Sequence, residues 1–302
     1  MTFPIRATFF KASMMIKNIL VTGANGQLGN EMQVIAASYP EYDFLFVTKE
    51  LLPIEDIDAV QHYFTANNIE ACINCAAYTA VDKAETETAK AFAVNVDAVG
   101  NLAAVCKEQH ALFIHISTDY VFDGTATVPY KEDHPVNPVN AYGASKLKGE
   151  ELALQNNPDS IIIRTSWVYS SFGNNFVKTM LRLMSEKESI NVVADQVGCP
   201  TYAADLAAAI MKIIDQSTDK INSGIYNFSN KGVINWHQFA TAIKELSRSN
   251  CIVNPIPAAQ YPTPAKRPNY SVLETTKIQQ TFNVIIPEWK DSLVKCLKLL
   301  GK

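Results

Sequence analysis

Tyr142 and Lys146, in the segment "YGASK", place a phenol and an amine four positions apart. On a helix this spacing puts both side chains on one face, one turn apart. A neighbouring ammonium favours the phenolate, so the pair predicts a tyrosine pKa lowered from about 10 towards neutrality. Such a tyrosine could act as a general acid near neutral pH. The same segment could also be an exposed tyrosine beside a solvated lysine, without catalytic function. The catalytic interpretation therefore needs support from the rest of the chain.

A glycine-rich turn follows the first apolar segment of the chain. The segment "NILVTG" (18–23) runs into "GANGQLG", which places Gly23, Gly26 and Gly29, with Gln27 and Leu28, at the start of a helical stretch. Glycines at this spacing let the backbone approach a pyrophosphate, whose charge the helix N-terminus stabilises. Because the turn joins a strand to a helix, it predicts a dinucleotide-binding site and not merely a structural turn.

Small and polar residues follow the third and fourth apolar segments. Ala76, Ala77 and Tyr78 come after "ACINC", and Thr118 ends "ALFIHIST". Open parallel sheets bind ligands at the carboxyl ends of their strands. These residues, the glycine turn and Tyr142 are therefore expected to meet in one crevice, with the alanines leaving room for a nicotinamide ribose. That convergence favours a catalytic interpretation of the Tyr142 and Lys146 pair.

The end of the second apolar segment bears on the choice of cofactor. Enzymes selective for NAD place an acid there, bonded to the adenosine ribose 2′-hydroxyl. In "FLFVTKELL" the segment ends with Thr48 and Lys49, and the first acid is Glu50. A hydroxyl and an ammonium would accept or attract a 2′-phosphate. The segment predicts that NADPH is used at least as well as NADH, unless Lys49 points into solvent and discriminates nothing.

Short apolar segments alternate with longer helical stretches from Lys17 onwards. The apolar segments are near-continuous and rich in Ile and Val, as strands buried on both faces must be. Repeated strand–helix–strand units predict an α/β fold with a Rossmann-type, doubly wound parallel sheet. The predicted strands are 18–23, 44–48, 71–77, 111–118 and 160–169, and the predicted helices are 27–38, 55–67, 87–109 and 141–155.

The pattern changes after Tyr169. Further short strands are predicted in "SINVVADQ" and "GIYNFSN", helices over 235–247 and 288–300, and an irregular stretch over 253–270, which holds five prolines. We expect a dinucleotide-binding domain over 15–169 and a smaller α/β substrate-binding domain mainly over 170–302, with some elements returning to the first sheet. The segment 1–14 fits no ordered element or secretion signal and is expected to be a disordered arm.

Composition excludes several classes of function. The 302 residues carry a formal net charge of −4, which gives no basic field for nucleic acid or for an anionic membrane surface. No apolar run approaches the roughly 20 residues that are needed to span a bilayer, so no membrane span is expected. The six cysteines are scattered, which indicates reduced thiols and a cytoplasmic protein.

Cys72 and Cys75 have C-x-x-C spacing, but they lie within an apolar strand, which disfavours a redox pair. The histidines show no metal-binding spacing, so no metal is expected.

The glycine turn, Thr118 and the Tyr142/Lys146 pair resemble the short-chain dehydrogenase/reductase superfamily, in its extended branch that acts on nucleotide sugars. Longer segments are similar to the dTDP-4-dehydrorhamnose reductase family from about Lys17 to the C-terminus. They are "AAYTAVDKAE", "STDYVFDG", "YGASKLKGE", "RTSWVYSSFGNNFVKTML", "DQVGCPT" and "YPTPAKRP". The segments of the second half are specific to this family, whereas the glycine turn and the Tyr/Lys pair mark only the superfamily.

This resemblance implies a reaction and a role for each matching residue. The reaction is reduction of the C4 ketone of dTDP-4-dehydro-L-rhamnose to dTDP-L-rhamnose by NADPH, with NADH as an alternative cofactor. Tyr142 would protonate the ketone oxygen, Lys146 would bind the nicotinamide ribose, and Thr118 would hydrogen-bond the substrate oxygen. Asn95 would support a proton relay, although a buried amide bonded to the backbone explains it equally well. The implied substrate-binding residues are Val81, Thr118, Asp119, Trp167, Asn175, Lys266 and Arg267.

The chain also departs from the family pattern. Pro53 stands where an acid commonly precedes the adenine loop. Some members form dimers bridged by magnesium through acidic residues. Glu31 matches one of these acids, but Ala204 occupies the position of another, so a metal-bridged dimer is not expected. The predicted assembly is a monomer or a homodimer.

Two other functions compete with ketosugar reduction. The first is another extended short-chain activity, such as an epimerase or a 4,6-dehydratase. In dehydratases the corresponding three residues resemble Thr-Asp-Glu. Here Tyr120 follows Thr118 and Asp119, which argues against dehydration. The second is a non-catalytic, NADP-binding regulatory subunit, because the beta subunit of methionine adenosyltransferase resembles the same family. The presence of Thr118, Tyr142 and Lys146 together favours catalysis.

Overall fold

A computed structural model describes residues 16–217 and 221–302 of the chain. The predicted disordered arm, 1–14, lies outside these residues. The strands, in chain order, are β1 Asn18–Thr22, β2 Asp43–Val47, β3 Ala71–Asn74, β4 Leu112–Thr118, β5 Ile161–Thr165, β6 Val168–Tyr169, β7 Ser189–Val193, β8 Val197–Gly198, β9 Thr201–Tyr202, β10 Gly224–Phe228, β11 Ile234–Asn235 and β12 Ile252–Ile256.

The helices alternate with these strands. They are α1 Gln27–Ala36, α2 Ile57–Asn67, α3 Val81–Ala84, α4 Thr88–Phe92, α5 Ala98–Glu108, α6 Ala141–Asn156, α7 Phe176–Glu186, α8 Ala203–Gln216, α9 Trp236–Leu246, α10 Thr276–Phe282 and α11 Trp289–Leu299. The sequence prediction placed α1, α2, α6, α9 and α11 to within a few residues of their observed ends, and its helix over 87–109 matches the run from α4 to α5. It missed α3, α7, α8 and α10.

Six strands form one parallel sheet in the order β10-β5-β4-β3-β1-β2. The central strands are buried along their whole length, which explains their continuous apolar sequences. Helices cover both faces. Side chains of α1, α8 and α10 pack on one face, and side chains of α2 and α5 pack on the other. This arrangement confirms the predicted doubly wound α/β fold.

A single helical run, Thr88–Glu108, joins α4 to α5 through a π-helical turn over Ala93–Asp97. Pi turns insert one extra residue per turn and are frequent at functional sites. The turn packs directly on α6, where a Cβ on Gly149 would lie 2.0 Å from the Asn95 carbonyl oxygen. Glycine at this position therefore allows α6 to approach the turn that carries Asn95.

The same run has the length and apolar composition of a membrane span, which the sequence expectation did not foresee. Within this fold 56% of its most apolar stretch is buried. It contributes Val99, Leu102 and Cys106 to the core beneath the sheet. Its apolar residues are thus accounted for by packing inside the protein.

The second half of the chain builds a separate apolar cluster beside the carboxyl edge of the sheet. The strand pairs β6–β9, β7–β12 and β8–β11 frame it, and α7, α9 and α11 fill it. The proline-rich stretch 253–270 is mostly irregular, apart from β12 and a short 3-10 turn over Ala258–Gln260. The sixth strand of the large sheet, β10, also comes from this half of the chain.

Candidate active site

A cavity of about 290 Å³ opens at the carboxyl edge of β1, β2 and β3. Seven residues predicted to bind a cofactor line it: Gly23, Gly26, Thr48, Lys49, Ala76, Ala77 and Tyr78. The wall is completed by residues that the sequence interpretation did not name as ligands, among them Val47, Leu52, Ile54, Glu55 and Val94. Apolar walls with a few polar groups are typical of cofactor sites.

The glycine turn is shaped by close backbone contacts. Gly23 has a positive φ of 63°, and a Cβ there would lie 2.7 Å from the amide nitrogen of Ala76. A Cβ on Gly29 would lie 2.3 Å from the carbonyl oxygen of Gly23. Gly26 precedes α1, and no side chain caps its N-terminal amide groups. The turn therefore leaves uncapped amide donors at the cavity, which fits a pyrophosphate. Leu28 and Gly29 are buried behind it.

A chain of polar side chains runs beneath the cavity floor. The Thr22 hydroxyl donates to Asn74 Oδ1 at 2.6 Å, and the amide of Ala76 donates to the same oxygen at 3.2 Å. The Asn74 Nδ2 group lies 3.0 Å from His115 Nδ1. His115 Nε2 lies 3.1 Å from Lys146 Nζ. All these side chains are buried. His115 was not foreseen; its only sequence signal is a polar residue inside an apolar strand.

Asn95, in the π turn, is fully buried and fully hydrogen-bonded. Its Oδ1 accepts from the Tyr78 amide at 2.9 Å, and its Nδ2 donates to the Tyr78 carbonyl at 3.0 Å and to Ser145 Oγ at 2.9 Å. These bonds tie the loop after β3 to the first turns of α6. Asn95 thus acts as a backbone-bonding amide, which was one of its two interpretations, and its part in a proton relay stays a prediction.

Tyr142 lies in the first turn of α6, which the Asn140 side chain caps by accepting from the Gly143 amide at 2.7 Å. The phenol is buried within hydrogen-bonding reach of the Thr118 hydroxyl. Thr118 in turn donates to Asp119 Oδ1 at 3.0 Å. Tyr120 packs edge-on against the Tyr142 ring, with centroids 5.7 Å apart. The fold therefore brings the predicted acid and the predicted hydroxyl partner together.

The pKa of Tyr142 is raised to about 12, so the prediction that Lys146 lowers it is wrong for this geometry. Burial is the largest cause, and the charge of Asp119 acts in the same direction, whereas the contact with Thr118 lowers the pKa. The amine of Lys146 is bonded elsewhere, to the Ile116 carbonyl at 2.7 Å and to His115. Tyr142 is consequently a protonated phenol at neutral pH, the state that a proton donor requires.

Burial lowers the pKa of Lys146 to about 8, although the charge of Glu150 acts in the opposite direction. Lys146 is 1% exposed. Glu150, one turn further along α6, forms a buried ion pair with Arg164 at 2.7 Å. Asp119 is also perturbed: burial raises its pKa to about 6, against the lowering effect of its hydrogen bonds. Buried groups with shifted pKa values, clustered in a crevice, are typical of active sites.

The residues predicted to bind the sugar occupy different surroundings. Val81 packs in one cluster with Tyr142 and Tyr120, so it lies beside the predicted acid. Trp167, with a positive φ of 48°, stacks on Trp236 with ring centroids 3.5 Å apart. The sequence interpretation missed Trp236, which begins α9 and carries no positional signal of its own. Both indoles are half-buried.

Asn175 and Gln27 join the two halves of the chain. Asn175 Oδ1 caps α7 through the Lys178 amide at 3.1 Å, and its Nδ2 donates to Gln27 Oε1 at 2.9 Å. Gln27 also approaches the Val168 carbonyl at 3.4 Å. Both residues therefore have structural bonds, and their predicted contacts with substrate and cofactor stay predictions.

Lys266 and Arg267, the basic pair in "PAKRP", have different surroundings. Lys266 is exposed, while its carbonyl accepts from Asn140 Nδ2 at 2.8 Å. Arg267 forms a two-point ion pair with Asp82, with nitrogen–oxygen distances of 2.9 and 2.7 Å. This pair anchors the proline-rich loop to α3, close to Val81. The guanidinium keeps the pKa of Asp82 below its usual range.

Acids also engage the two residues at the end of β2. Lys49 Nζ lies 2.6 Å from Glu55 Oε1. A hydrogen bond from Thr48 lowers the pKa of Glu50, which is fully exposed. The expected hydroxyl and ammonium are thus present at the cavity, each with a carboxylate beside it.

Three other residues that the sequence interpretation singled out, Glu31, Ala204 and Cys72, do not line this cavity, whereas Cys75 does. Glu31 is buried and accepts from Ser170 Oγ at 2.6 Å, and Ala204 is half-buried. Among the described residues no group of three or more His, Cys, Asp or Glu side chains could hold a metal. Cys72 is buried, and burial raises the pKa of Cys75, which disfavours a thiolate and hence a redox pair.

Comparison with known proteins adds a family likeness over almost the whole chain. Residues 17–301 match the family described as the RmlD substrate binding domain. The chain is 40% identical over 283 residues to the dTDP-4-dehydrorhamnose reductase of Aggregatibacter actinomycetemcomitans, covering 91% of this chain and 96% of that protein.

Solved structures give the same likeness. A dTDP-4-dehydrorhamnose reductase from Clostridium acetobutylicum matches with a TM-score of 0.90 and 41% identity, over 94% of this chain and 100% of that one. The dTDP-4-dehydrorhamnose reductase of Bacillus anthracis, solved in complex with NADP, matches with a TM-score of 0.89 and 38% identity, over 94% and 99% of the two chains.

Proposed function

The chain belongs to the RmlD substrate binding domain family, and we propose that it is an oxidoreductase that reduces the C4 ketone of dTDP-4-dehydro-L-rhamnose to dTDP-L-rhamnose with NADPH. The membership bears out the resemblance read from the sequence. The observation that carries the proposal is the contact of the Tyr142 phenol with the Thr118 hydroxyl at the carboxyl edge of the sheet, where Asn95 ties α6 to Tyr78 of the cavity wall. NADH is proposed as an alternative cofactor.

The chain's own residues would protonate the substrate oxygen. The Tyr142 phenol, held protonated by burial, donates its proton to the C4 oxygen as the carbonyl becomes an alcohol. Thr118 hydrogen-bonds the same oxygen and stabilises the charge that develops on it. Thr118 is itself aligned by its bond to Asp119 at 3.0 Å. The phenolate that remains regains a proton from solvent before the next turnover.

Other residues position the cofactor. The uncapped amides before α1 fit the pyrophosphate, and the small side chains of Ala76 and Ala77 leave room for the nicotinamide ribose. Lys146 would bind the ribose hydroxyls from α6. When bound, the reduced nicotinamide supplies the hydride that completes the reduction. Asn95 fixes the loop around Tyr78 and the start of α6 relative to each other.

The substrate would approach from the side of the proline-rich loop. Val81 and Trp167 are proposed to contact the sugar, with Asp119 and Asn175 near it. Lys266 and Arg267 are proposed to face the diphosphate, where cations match the phosphate charge. The Arg267–Asp82 pair supports this arrangement because it fixes the loop beside Val81.

We propose that the protein acts in the cytoplasm as a monomer or homodimer. All six cysteines are free thiols, which suits a reducing compartment. A metal-bridged dimer is not proposed, because Ala204 stands where a second bridging acid would be, and Glu31 is buried and bonded to Ser170.

One experiment tests the proposed reaction. The protein is incubated with dTDP-4-dehydro-L-rhamnose and NADPH, NADPH oxidation is followed by absorbance, and the sugar product is identified by NMR. The expected product is dTDP-L-rhamnose, formed in equal amount to NADP⁺. Binding of NADPH without any turnover of the ketosugar would indicate the regulatory-subunit alternative. Formation of a C4 epimer would keep the reductase class and change the product.

A further inference from the structure

The wall of the cavity carries an ion pair between Lys49 and Glu55. Lys49 follows β2, and Glu55 reaches it from the loop before α2 with 2.6 Å between Nζ and Oε1. Both residues line the cavity. The side chain of Glu55 is 28% exposed, whereas that of Lys49 is 68% exposed. The carboxylate is therefore the more enclosed partner and holds the lysine against the wall.

A second feature of this ion pair is the other carboxylate oxygen of Glu55, which takes no part in the bond to Lys49. Oε2 is buried and has no hydrogen-bond partner among the described residues. Burial raises the pKa of Glu55, but the hydrogen bonds from Lys49 and from its own backbone amide outweigh it, so the pKa is lowered. The group is thus an ionised acceptor with one unused oxygen, and a buried acceptor of this kind favours a donor from a ligand.

The position of the pair indicates which part of a dinucleotide it would meet. In Rossmann-type sites the end of the second strand faces the adenosine ribose, where an acid accepts from a 2′-hydroxyl and a basic residue accommodates a 2′-phosphate. Here one residue of each kind occupies that position, although the acid comes from a different loop. A carboxylate beside the ammonium attracts the hydroxyl of NADH and repels the phosphate of NADPH.

We propose that Glu55 is a cofactor-selectivity residue, which moderates the attraction of Lys49 for a 2′-phosphate and accepts a hydrogen bond from the 2′-hydroxyl of NADH. The inference rests on the proposed function only in requiring a nicotinamide dinucleotide in this cavity. Glu55 enables NADH to serve as an alternative cofactor. Without its carboxylate the enzyme would discriminate strongly for NADPH.

Binding measurements on Glu55→Gln test this directly. Dissociation constants for NADP⁺ and NAD⁺ are determined by calorimetry on the full chain, without sugar substrate. Removing one charge from a partly exposed site is expected to shift the ratio of the two constants by up to about fivefold towards NADP⁺. The ratio of kcat/KM for NADPH and NADH should move in the same direction.

Two further variants make the result specific. Lys49→Gln should shift the ratio in the opposite direction, towards NAD⁺, because Glu55 then faces the ribose alone. Asp159→Asn is the matched control: it removes the acid of the exposed Lys107–Asp159 pair, 2.7 Å apart and outside the cavity wall, and should leave the ratio unchanged.

The outcomes separate this inference from the proposed function. An unchanged ratio in folded Glu55→Gln overturns the inference and leaves the reductase assignment intact. A shift of the same size in Asp159→Asn also overturns it, since the effect would then be one of general charge. Wild-type protein that binds neither NADP⁺ nor NAD⁺ overturns both.

Discussion

Lys146 Nζ lies 3.1 Å from His115 Nε2, so the predicted catalytic lysine is held by a buried histidine. The hydrogen bonds beneath the cavity fix how this histidine is protonated. Because the Ala76 amide donates to Asn74 Oδ1, the Asn74 amino group faces His115 Nδ1. Nδ1 is then the acceptor and Nε2 carries the ring proton. Burial also lowers the pKa of His115 well below its usual value, in agreement with a neutral ring.

This arrangement predicts the effect of His115→Phe. An Nε2–H group 3.1 Å from Nζ can donate only to the neutral amine and opposes the ammonium, so its removal should raise the pKa of Lys146 above about 8. Glu150, whose charge acts on the amine in the opposite direction to burial, is unchanged. We expect the inflection of NADP⁺ affinity against pH to move to higher pH. Calorimetric titrations across pH measure it.

His115→Gln provides the matched comparison for this histidine. A glutamine amide can donate to the lysine, so this variant should keep an inflection nearer to that of the wild type. If phenylalanine and glutamine gave the same pH profile as the wild type, His115 would be a packing residue without influence on Lys146.

Tyr142→Phe should remove most of the turnover while preserving cofactor binding. General acid catalysis contributes about 10²–10⁴-fold, and the substitution removes only the hydroxyl and keeps the ring. Turnover with dTDP-4-dehydro-L-rhamnose and the dissociation constant of NADP⁺ are the two measurements. Tyr226→Phe is the control, because it removes a hydroxyl bonded to the Asn222 carbonyl, on the edge strand β10. Near-normal turnover in Tyr142→Phe would exclude the proposed acid.

Asp119→Asn should change the pH dependence of stability. Burial raises the pKa of Asp119 to about 6, so the folded protein prefers its protonated form, and the charged form destabilises the fold increasingly as pH rises through that value. Asparagine cannot ionise. The free energy of unfolding of the variant, relative to wild type, should therefore increase by about 2 kcal/mol between pH 4.5 and 7.5. Urea titrations at both pH values measure it, and a constant difference would contradict the raised pKa.

Alanine at Lys266 and Arg267 should mainly raise the KM for the nucleotide sugar. Charge-assisted bonds to phosphate contribute about 1.5–3 kcal/mol each, and the substrate is expected to lose them in both its ground and transition states. Asp82→Asn is a useful companion, because it releases Arg267 from its ion pair without removing the cation. Steady-state kinetics with varied sugar and varied NADPH distinguish the ligands. An equal loss of affinity for NADPH would place these residues at the cofactor.

Much of the fold was predictable because it depends on local patterns. Strand β5 is buried along its whole length, since both faces of the sheet are covered, and the glycine turn is readable as a strand–turn–helix unit. The predicted single strand 160–169 was wrong in extent, because it divides into β5 in the large sheet and β6 in a separate two-stranded sheet. Helix α8 was missed although its apolar side chains, including Leu206 and Ile210, lie at helical spacing. It packs over the sheet beside α1, far from α1 in sequence, and the irregular segments around it concealed that role.

The site was predictable only in part for the same reason. Tyr142 and Lys146 are neighbours on one helix, so their spacing carried the prediction. The contact of Glu55 with Lys49 depends on how a loop folds back on the second strand, and the stacking of Trp236 on Trp167 joins elements 69 positions apart. Contacts between segments that are distant along the chain leave no periodic pattern in the sequence, so they could not be predicted from it. The lowered pKa predicted for Tyr142 failed because spacing gives proximity but not burial, and burial is the larger effect.

The position of β10 in the large sheet has a consequence for biosynthesis. Strand β5 is buried along its whole length and pairs with β4 on one side and with β10 on the other, yet β10 begins at Gly224. While the ribosome is still adding the intervening residues, "IIIRT" is an apolar strand with an open edge, a state prone to intermolecular pairing. Nascent chains that stall before Gly224 should therefore aggregate, and holdase chaperones are expected to engage this protein late in its synthesis.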